Sequence, residues 1–125
     1  MGLTFVTATI SNPANTKKTA KVDFLVDSGA IFSVISQETL RKLGVKPHSK
    51  KSFTLANGEA VERSIGDLAF EYAGERGASP VIFGEKGDSS LMGAVTLETL
   101  GLMLDPFKRE IRSLPMVLGS MRKNI

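Results

Sequence analysis

Apolar and polar positions alternate with a period of two along much of the chain, the signature of half-buried strands. Residues 3 to 10 (LTFVTATI) are dense in β-branched and aromatic types and predict a strand. Residues 20 to 26 (AKVDFLV) alternate strictly, with Ala20, Val22, Phe24 and Val26 to one side and Lys21 and Asp23 to the other. They predict a second strand antiparallel to the first, across a polar loop at 11 to 19 (SNPANTKKT). From 51 to 72 the pattern is again strand-like. Asn57-Gly58, flanked by Phe53, Leu55, Ala60 and Val61, is a strong hairpin signal. Gly66-Asp67 marks a further bend, Gly74 to Ser79 a loop, and Val81-Ile82-Phe83 a short buried strand. Leu102 and Leu104 continue as a strand to Asp105-Pro106, and 110 to 118 form the last strand. Only two short helices are predicted. Ser36 caps one over 37 to 43, stopped by Gly44, and Thr96 caps another near 96 to 100. The expected fold is mainly β with one or two short helices.

A faint internal echo accompanies this pattern. Gly29-Ala30 precedes Glu38-Thr39-Leu40, and Gly93-Ala94 precedes Glu98-Thr99-Leu100, as if two halves were related by a pseudo-twofold. No linker separates them, and 125 residues set the expectation of a single domain over 1–125.

Composition narrows the function. With no cysteine, the chain has no thiolate nucleophile, disulfide framework or Cys-based zinc site. A single His, His48, makes any zinc site improbable, and no metal or cofactor is expected. A net charge of +3 is spread thinly and comes with only 6% aromatics, so no nucleic-acid partner is expected. The apolar runs are too short for a membrane span. Met1 to Val6 lacks the basic and apolar regions of a secretion signal, which sets a cytoplasmic expectation.

Asp27 is the candidate catalytic residue. It ends an apolar strand and precedes Ser28, Gly29 and Ala30 on a tight turn, where a carboxylate is held rigidly beside backbone amides. Taken alone, Asp-Ser-Gly is better read as an ordinary Asx turn closing a strand. Its context is more specific. Val26-Asp27-Ser28-Gly29-Ala30, the Asn57-Gly58 hairpin, and Leu91-Met92-Gly93-Ala94 followed by Leu100-Gly101-Leu102-Met103-Leu104-Asp105 occur in that order. Together they resemble the retropepsin-like aspartic proteases over residues 3 to about 118.

That resemblance implies a closed β-barrel-type acid protease protomer that hydrolyses peptide bonds as a homodimer, with Asp27 as half of the catalytic pair. Ser28 would brace the active-site loops across the dimer, and Gly29 would present backbone to the substrate. Ala30 and Gly93 would support the loop. Ala56, Asn57, Gly58 and Glu59 would form the flap, and Ile31 and Phe32 would face the substrate. Retroviral members carry an acidic residue after D-T-G-A and an Arg after the second Gly. Here Ile31 and Ala94 stand there, which suggests a cellular, prokaryotic relative with a different dimer seam. The alternative is a non-catalytic dimerising or peptide-binding module on the same fold. A Gly87-Asp88-Ser89 block superficially resembles that of a serine esterase family, but His48 sits in a polar loop without the context such a site needs.

Overall fold

The computed structural model describes residues 3–115. Two hairpins set the frame. β1 (Phe5–Asn12) and β2 (Asn15–Val26) pair antiparallel, with Phe5 opposite Leu25 and Ser11 opposite Thr19. The segment expected as a loop at 11 to 19 is therefore largely strand. Only Pro13 and Ala14 turn, and the Asn12 Oδ1 accepts the Ala14 amide at 2.8 Å. The polar run from Asn15 to Thr19 is exposed, so no buried side imposes the alternation that marks a strand in sequence. β4 (Ser49–Thr54) pairs with β5 (Ala60–Tyr72), which pairs with β6 (Glu75–Gly84). The loop expected at 74 to 79 is likewise strand, with the chain turning at Ala73-Gly74. The bend expected at Gly66-Asp67 is also absent. A Cβ at Gly66 would come within 3.0 Å of the Lys46 carbonyl and the Phe83 ring, so this glycine serves close packing.

The hairpins then exchange strands. β3 (Ser33–Ser36) follows β2 but lies parallel to β6, while β7 (Leu91–Met92) follows β6 but lies parallel to β2. They meet antiparallel at Val34 and Leu91. Helices α1 (Gln37–Lys42) and α2 (Ala94–Thr99) follow β3 and β7. The sheet order is β1-β2-β7-β3-β6-β5-β4, and pairing of Ile10 with Phe70 joins β1 to β5 as well. β8 (Leu102–Asp105) and β9 (Glu110–Ser113) form a separate ribbon. The last strand thus ends at Ser113, and positions 116 to 118 of the expected strand lie outside the described residues.

The registers reveal a duplication. An offset of 57 (82 − 25) carries the Leu25–Leu91 pair onto Ile82–Val34, and Val26–Met92 onto Phe83–Ile35. It also carries Leu43-Gly44, which ends α1, onto Leu100-Gly101, which ends α2; the glycines have φ 77° and 70°. On the outer hairpin strands the offset is 60 (70 − 10), and the Ile10–Phe70 pair maps onto itself. The Glu-Thr-Leu echo in the sequence is three residues out of this frame. Burial is what repeats, through Leu40 with Leu97 and Leu43 with Leu100, whereas Glu38, Glu98 and Thr99 are exposed.

The core lies on one face of the sheet. It is filled by inward positions such as Ile10, Phe24, Phe70, Val81 and Met92, all at most 1% exposed. The Phe24 and Phe70 rings pack 5.9 Å apart. Among the described residues, no helix is long and apolar enough to cross a membrane.

Candidate active site

Burial of Phe24 and Val26 anchors the end of β2, and Asp27 emerges from it half-buried. Its amide donates to the Met92 carbonyl at 3.0 Å, and its carbonyl accepts the Ala30 amide at 3.1 Å. Its Oδ1 accepts the Gly29 amide at 2.9 Å. The Asx turn is thus present, and it orients the carboxylate by fixing one oxygen while Oδ2 takes no part in the turn. A Cβ at Gly29 would lie 3.3 Å from that Oδ1. Ser28 and Gly29 are exposed at the tip, and Ala30 is half-buried behind them.

The strand leaving the turn is bolted to the start of α2. The Ala94 amide donates to the Ala30 carbonyl at 2.7 Å, and the Val95 amide to the Ile31 carbonyl at 3.1 Å. Gly93 lies flat against this segment. A Cβ there would sit 2.7 Å from the Phe32 carbonyl carbon and oxygen and 2.9 Å from the Ala30 carbonyl oxygen. The Gly93 amide donates to Ser33 Oγ at 3.0 Å. Thr96 does not cap α2; that position is held by Gly93. Thr96 is instead fully buried, with its hydroxyl bonded to those of Ser33 and Ser79. This links β3, β6 and α2 beneath the turn. A Thr in the first turn of a helix carries the same sequence signal whether it caps or is buried.

The side of the sheet opposite the core is also apolar. Leu25, Leu91, Val34 and Ile82 lie side by side across four strands, each half-buried. Alternation places Asp27 on the same side as Leu25. These four apolar residues share that face and were not singled out from sequence, because a strand apolar on both faces does not reveal which face is the site. Of the two residues expected to face substrate, Ile31 is 66% exposed. Phe32 is half-buried, its ring edge-on to Phe53 of β4 at 6.4 Å.

The Ala56–Glu59 turn joins β4 to β5 and is exposed throughout. The Leu55 amide donates to the Glu59 carbonyl at 2.8 Å, and the Gly58 amide to the Leu55 carbonyl at 2.9 Å. Asn57 Oδ1 accepts the Glu59 amide at 2.9 Å, and Gly58 has φ 87°. Lower on this hairpin, Arg63 Nε donates to Asp88 Oδ2 at 3.2 Å, and its Nη1 lies 3.7 Å from Glu85 Oε2. Asp88 is therefore committed to an ion pair. His48 is exposed, with Nε2 3.2 Å from Asp67 Oδ1 and Nδ1 3.1 Å from Ser49 Oγ. Two shallow grooves share Thr9 and Glu71, and Asp27 borders neither. On the single chain, the carboxylate sits at an open face.

Asp27 thus stands on a braced strand-end turn at the end of a sheet whose outer face is apolar. A family model described as aspartyl protease matches residues 6–93, well over half of the chain, and the chain belongs to that family. The fold is similar to the crystal structure of a retropepsin-like aspartic protease from Rickettsia conorii. The TM-score is 0.58 at 25% identity, covering 83% of this chain and 77% of that one. No curated protein matches the chain.

Proposed function

We propose that the protein is an aspartic endopeptidase that acts as a homodimer, each protomer supplying one Asp27. The observation that carries this reading is the Asp27 turn, with Oδ1 held by the Gly29 amide and the backbone fixed to Met92 and α2. Two such carboxylates brought together on a twofold axis share one proton, because both cannot readily ionise at short range. The ionised partner draws a proton from a water molecule, which attacks the scissile carbonyl carbon. The protonated partner donates a hydrogen bond to the carbonyl oxygen as negative charge develops there. Collapse of the tetrahedral intermediate expels the amine, which takes up a proton from the pair. No metal or cofactor enters this scheme. Leu25, Val34, Ile82 and Leu91 form the floor of the cleft, and the Ala56–Glu59 turn closes over the substrate from above. Ser28 and Gly29 at the exposed tip supply the backbone that meets the substrate and the opposing turn.

The test is cleavage of an unfolded protein across about pH 3 to 7, with Asp27→Asn as control. Cleavage that the substitution abolishes supports the reading. A folded dimer that cleaves nothing at any pH sinks it in favour of a non-catalytic peptide-binding or dimerising module.

A further inference from the structure

Three large apolar side chains close to the Asp27 turn in sequence or strand register are exposed. Leu3, Phe5 and Ile31 are 65%, 62% and 66% exposed. Leaving a residue such as Ile two-thirds in water forgoes most of the stabilisation its burial would bring. The β1–β2 register explains their placement. Phe5 faces Leu25, and the Val26 amide donates to the Thr4 carbonyl at 2.8 Å. Extended by two positions beyond its last pair, this register brings Leu3 level with Asp27. Ile31 lies on the other flank. β7 borders β2 on the side away from β1, and α2, which follows β7, holds the Ile31 carbonyl through the Val95 amide. Asp27 is thus bracketed by two exposed aliphatic residues, Leu3 on one side and Ile31 on the other.

The duplicated half is organised differently at the matching positions. The two offsets carry Leu3 to Arg63 and Ile31 to Asp88, and those residues form an ion pair within the chain. There the two positions are satisfied internally, whereas at Asp27 they are apolar and left open.

We infer that Leu3 and Ile31 form the seam between two copies of this chain, Leu3 of each protomer packing on Ile31 of the other. This rests on the Asp27 pair proposed above, since a half-site with one carboxylate is incomplete without a second copy. A twofold axis passing between two Asp27 residues exchanges the flanks. The Leu3 side of one protomer therefore faces the Ile31 side of its partner, and the contact occurs twice. The seam is an apolar contact, and added salt does not screen it as it would an ion pair.

The experiment measures the dimer dissociation constant by sedimentation velocity for the native chain, Leu3→Arg, Ile31→Asp, the double variant, and Thr19→Arg. Thr19 lies eight residues up β2 from Asp27, about 27 Å away, and reports on added charge alone. Each single seam variant is expected to weaken the dimer at least tenfold. The double variant, with opposite charges facing each other, is expected to regain part of that loss, and Thr19→Arg to change nothing. The native dimer is expected to hold or tighten as salt rises from about 0.1 to 1 M. All the substituted positions are exposed, and circular dichroism checks that the variants fold. Unchanged dissociation constants in both single variants overturn the inference. So does a strictly additive loss in the double variant, an equal loss in Thr19→Arg, or a native dimer that dissociates with salt. If the dimer constants behave as expected but Asp27→Asn still cleaves, the seam stands and the catalytic reading falls. A chain that stays monomeric at all concentrations defeats both.

Discussion

The turn leaving β2 carries Asp27-Ser28-Gly29-Ala30-Ile31, and the turn leaving β6, at the offset of 57, carries Gly84-Glu85-Lys86-Gly87-Asp88. Both leave a buried strand, cross to a short strand on the far side of the sheet and lead into a six-residue helix ending in Leu-Gly. The difference lies in where the charge goes. In the second turn Asp88 Oδ2 accepts both the Glu85 amide at 2.8 Å and Arg63 at 3.2 Å, so its acid is consumed within the protomer. In the first, Asp27 has one oxygen held by its own turn and faces an apolar sheet surface. Gly84, the counterpart of Asp27, is fully enclosed, and a Cβ there would meet Val34 at 3.0 Å. The duplicated frame offers two equivalent turns; in the first the carboxylate is fixed but unspent, and in the second it is spent on Arg63.

Exchanging the acids breaks this comparison most sharply. Asp27→Asn is expected to lower peptide cleavage by about 10³-fold or more, with stability within about 0.5 kcal/mol of native. Asp88→Asn is expected to leave most of the activity in place. Initial-rate assays beside urea unfolding check both, and equal losses from the two substitutions would erase the functional asymmetry.

Next come the residues beneath each turn. Gly93→Ala forces a methyl group into the Ala30–Phe32 backbone and is expected to destabilise by about 3 kcal/mol. Its counterpart Ser36 already carries a side chain, which caps α1 through the Thr39 amide at 3.2 Å. Ser36→Gly is expected to cost only a few tenths of a kcal/mol. Thr96 and Thr39 are counterparts in the same way. Thr96→Val removes the partner of the buried Ser79 hydroxyl and one of the two partners of Ser33 Oγ, and is expected to cost about 1–3 kcal/mol. Thr39→Val, at a surface cap, is expected to stay within about 0.5 kcal/mol. Denaturant midpoints decide each pair, and equal costs within a pair would show that the two helices are braced alike.

The smallest effect lies in the β8–β9 ribbon, outside the duplication. The Lys108 amide, with further help from the Phe107 amide and Arg112, holds the Asp105 carboxyl below its ordinary range against an opposing push from desolvation. A carboxyl depressed on folding contributes stability above its unfolded value of 3.8, and that contribution fades as pH falls through the folded value. Asp105→Asn is therefore expected to lower the melting temperature slightly at neutral pH and not at all in strong acid. A difference that persists at about pH 2 would assign the effect to packing instead.

The sequence revealed most clearly the features with local signals. Strict alternation over 20 to 26 marked a strand, Asn57-Gly58 a hairpin, Ser36 a helix cap, and Asp27-Ser28-Gly29 a rigid turn. What stayed hidden depends on tertiary surroundings. The outer ends of the hairpins, Asn15 to Thr19 and Glu75 to Ala78, are strand but mostly exposed on both faces, so their polar residues read as loop. Gly66 read as a bend because its reason, the Phe83 ring, lies 17 residues away (83 − 66). Leu25, Val34, Ile82 and Leu91 are individually unremarkable, and only the exchange of β3 and β7 sets them side by side next to Asp27.

That exchange also governs when the site can exist. The amide of Asp27 is bonded to a carbonyl 65 residues further along the chain (92 − 27), and neither hairpin holds the strand that completes its own edge. Contacts of such long sequence separation close late, after the local hairpins have formed. The fold is thereby interlocked: a chain truncated before β7 has every residue of the Asp27 turn but lacks the Met92 and α2 contacts that fix its backbone, so the geometry of the turn is a property of the finished protomer.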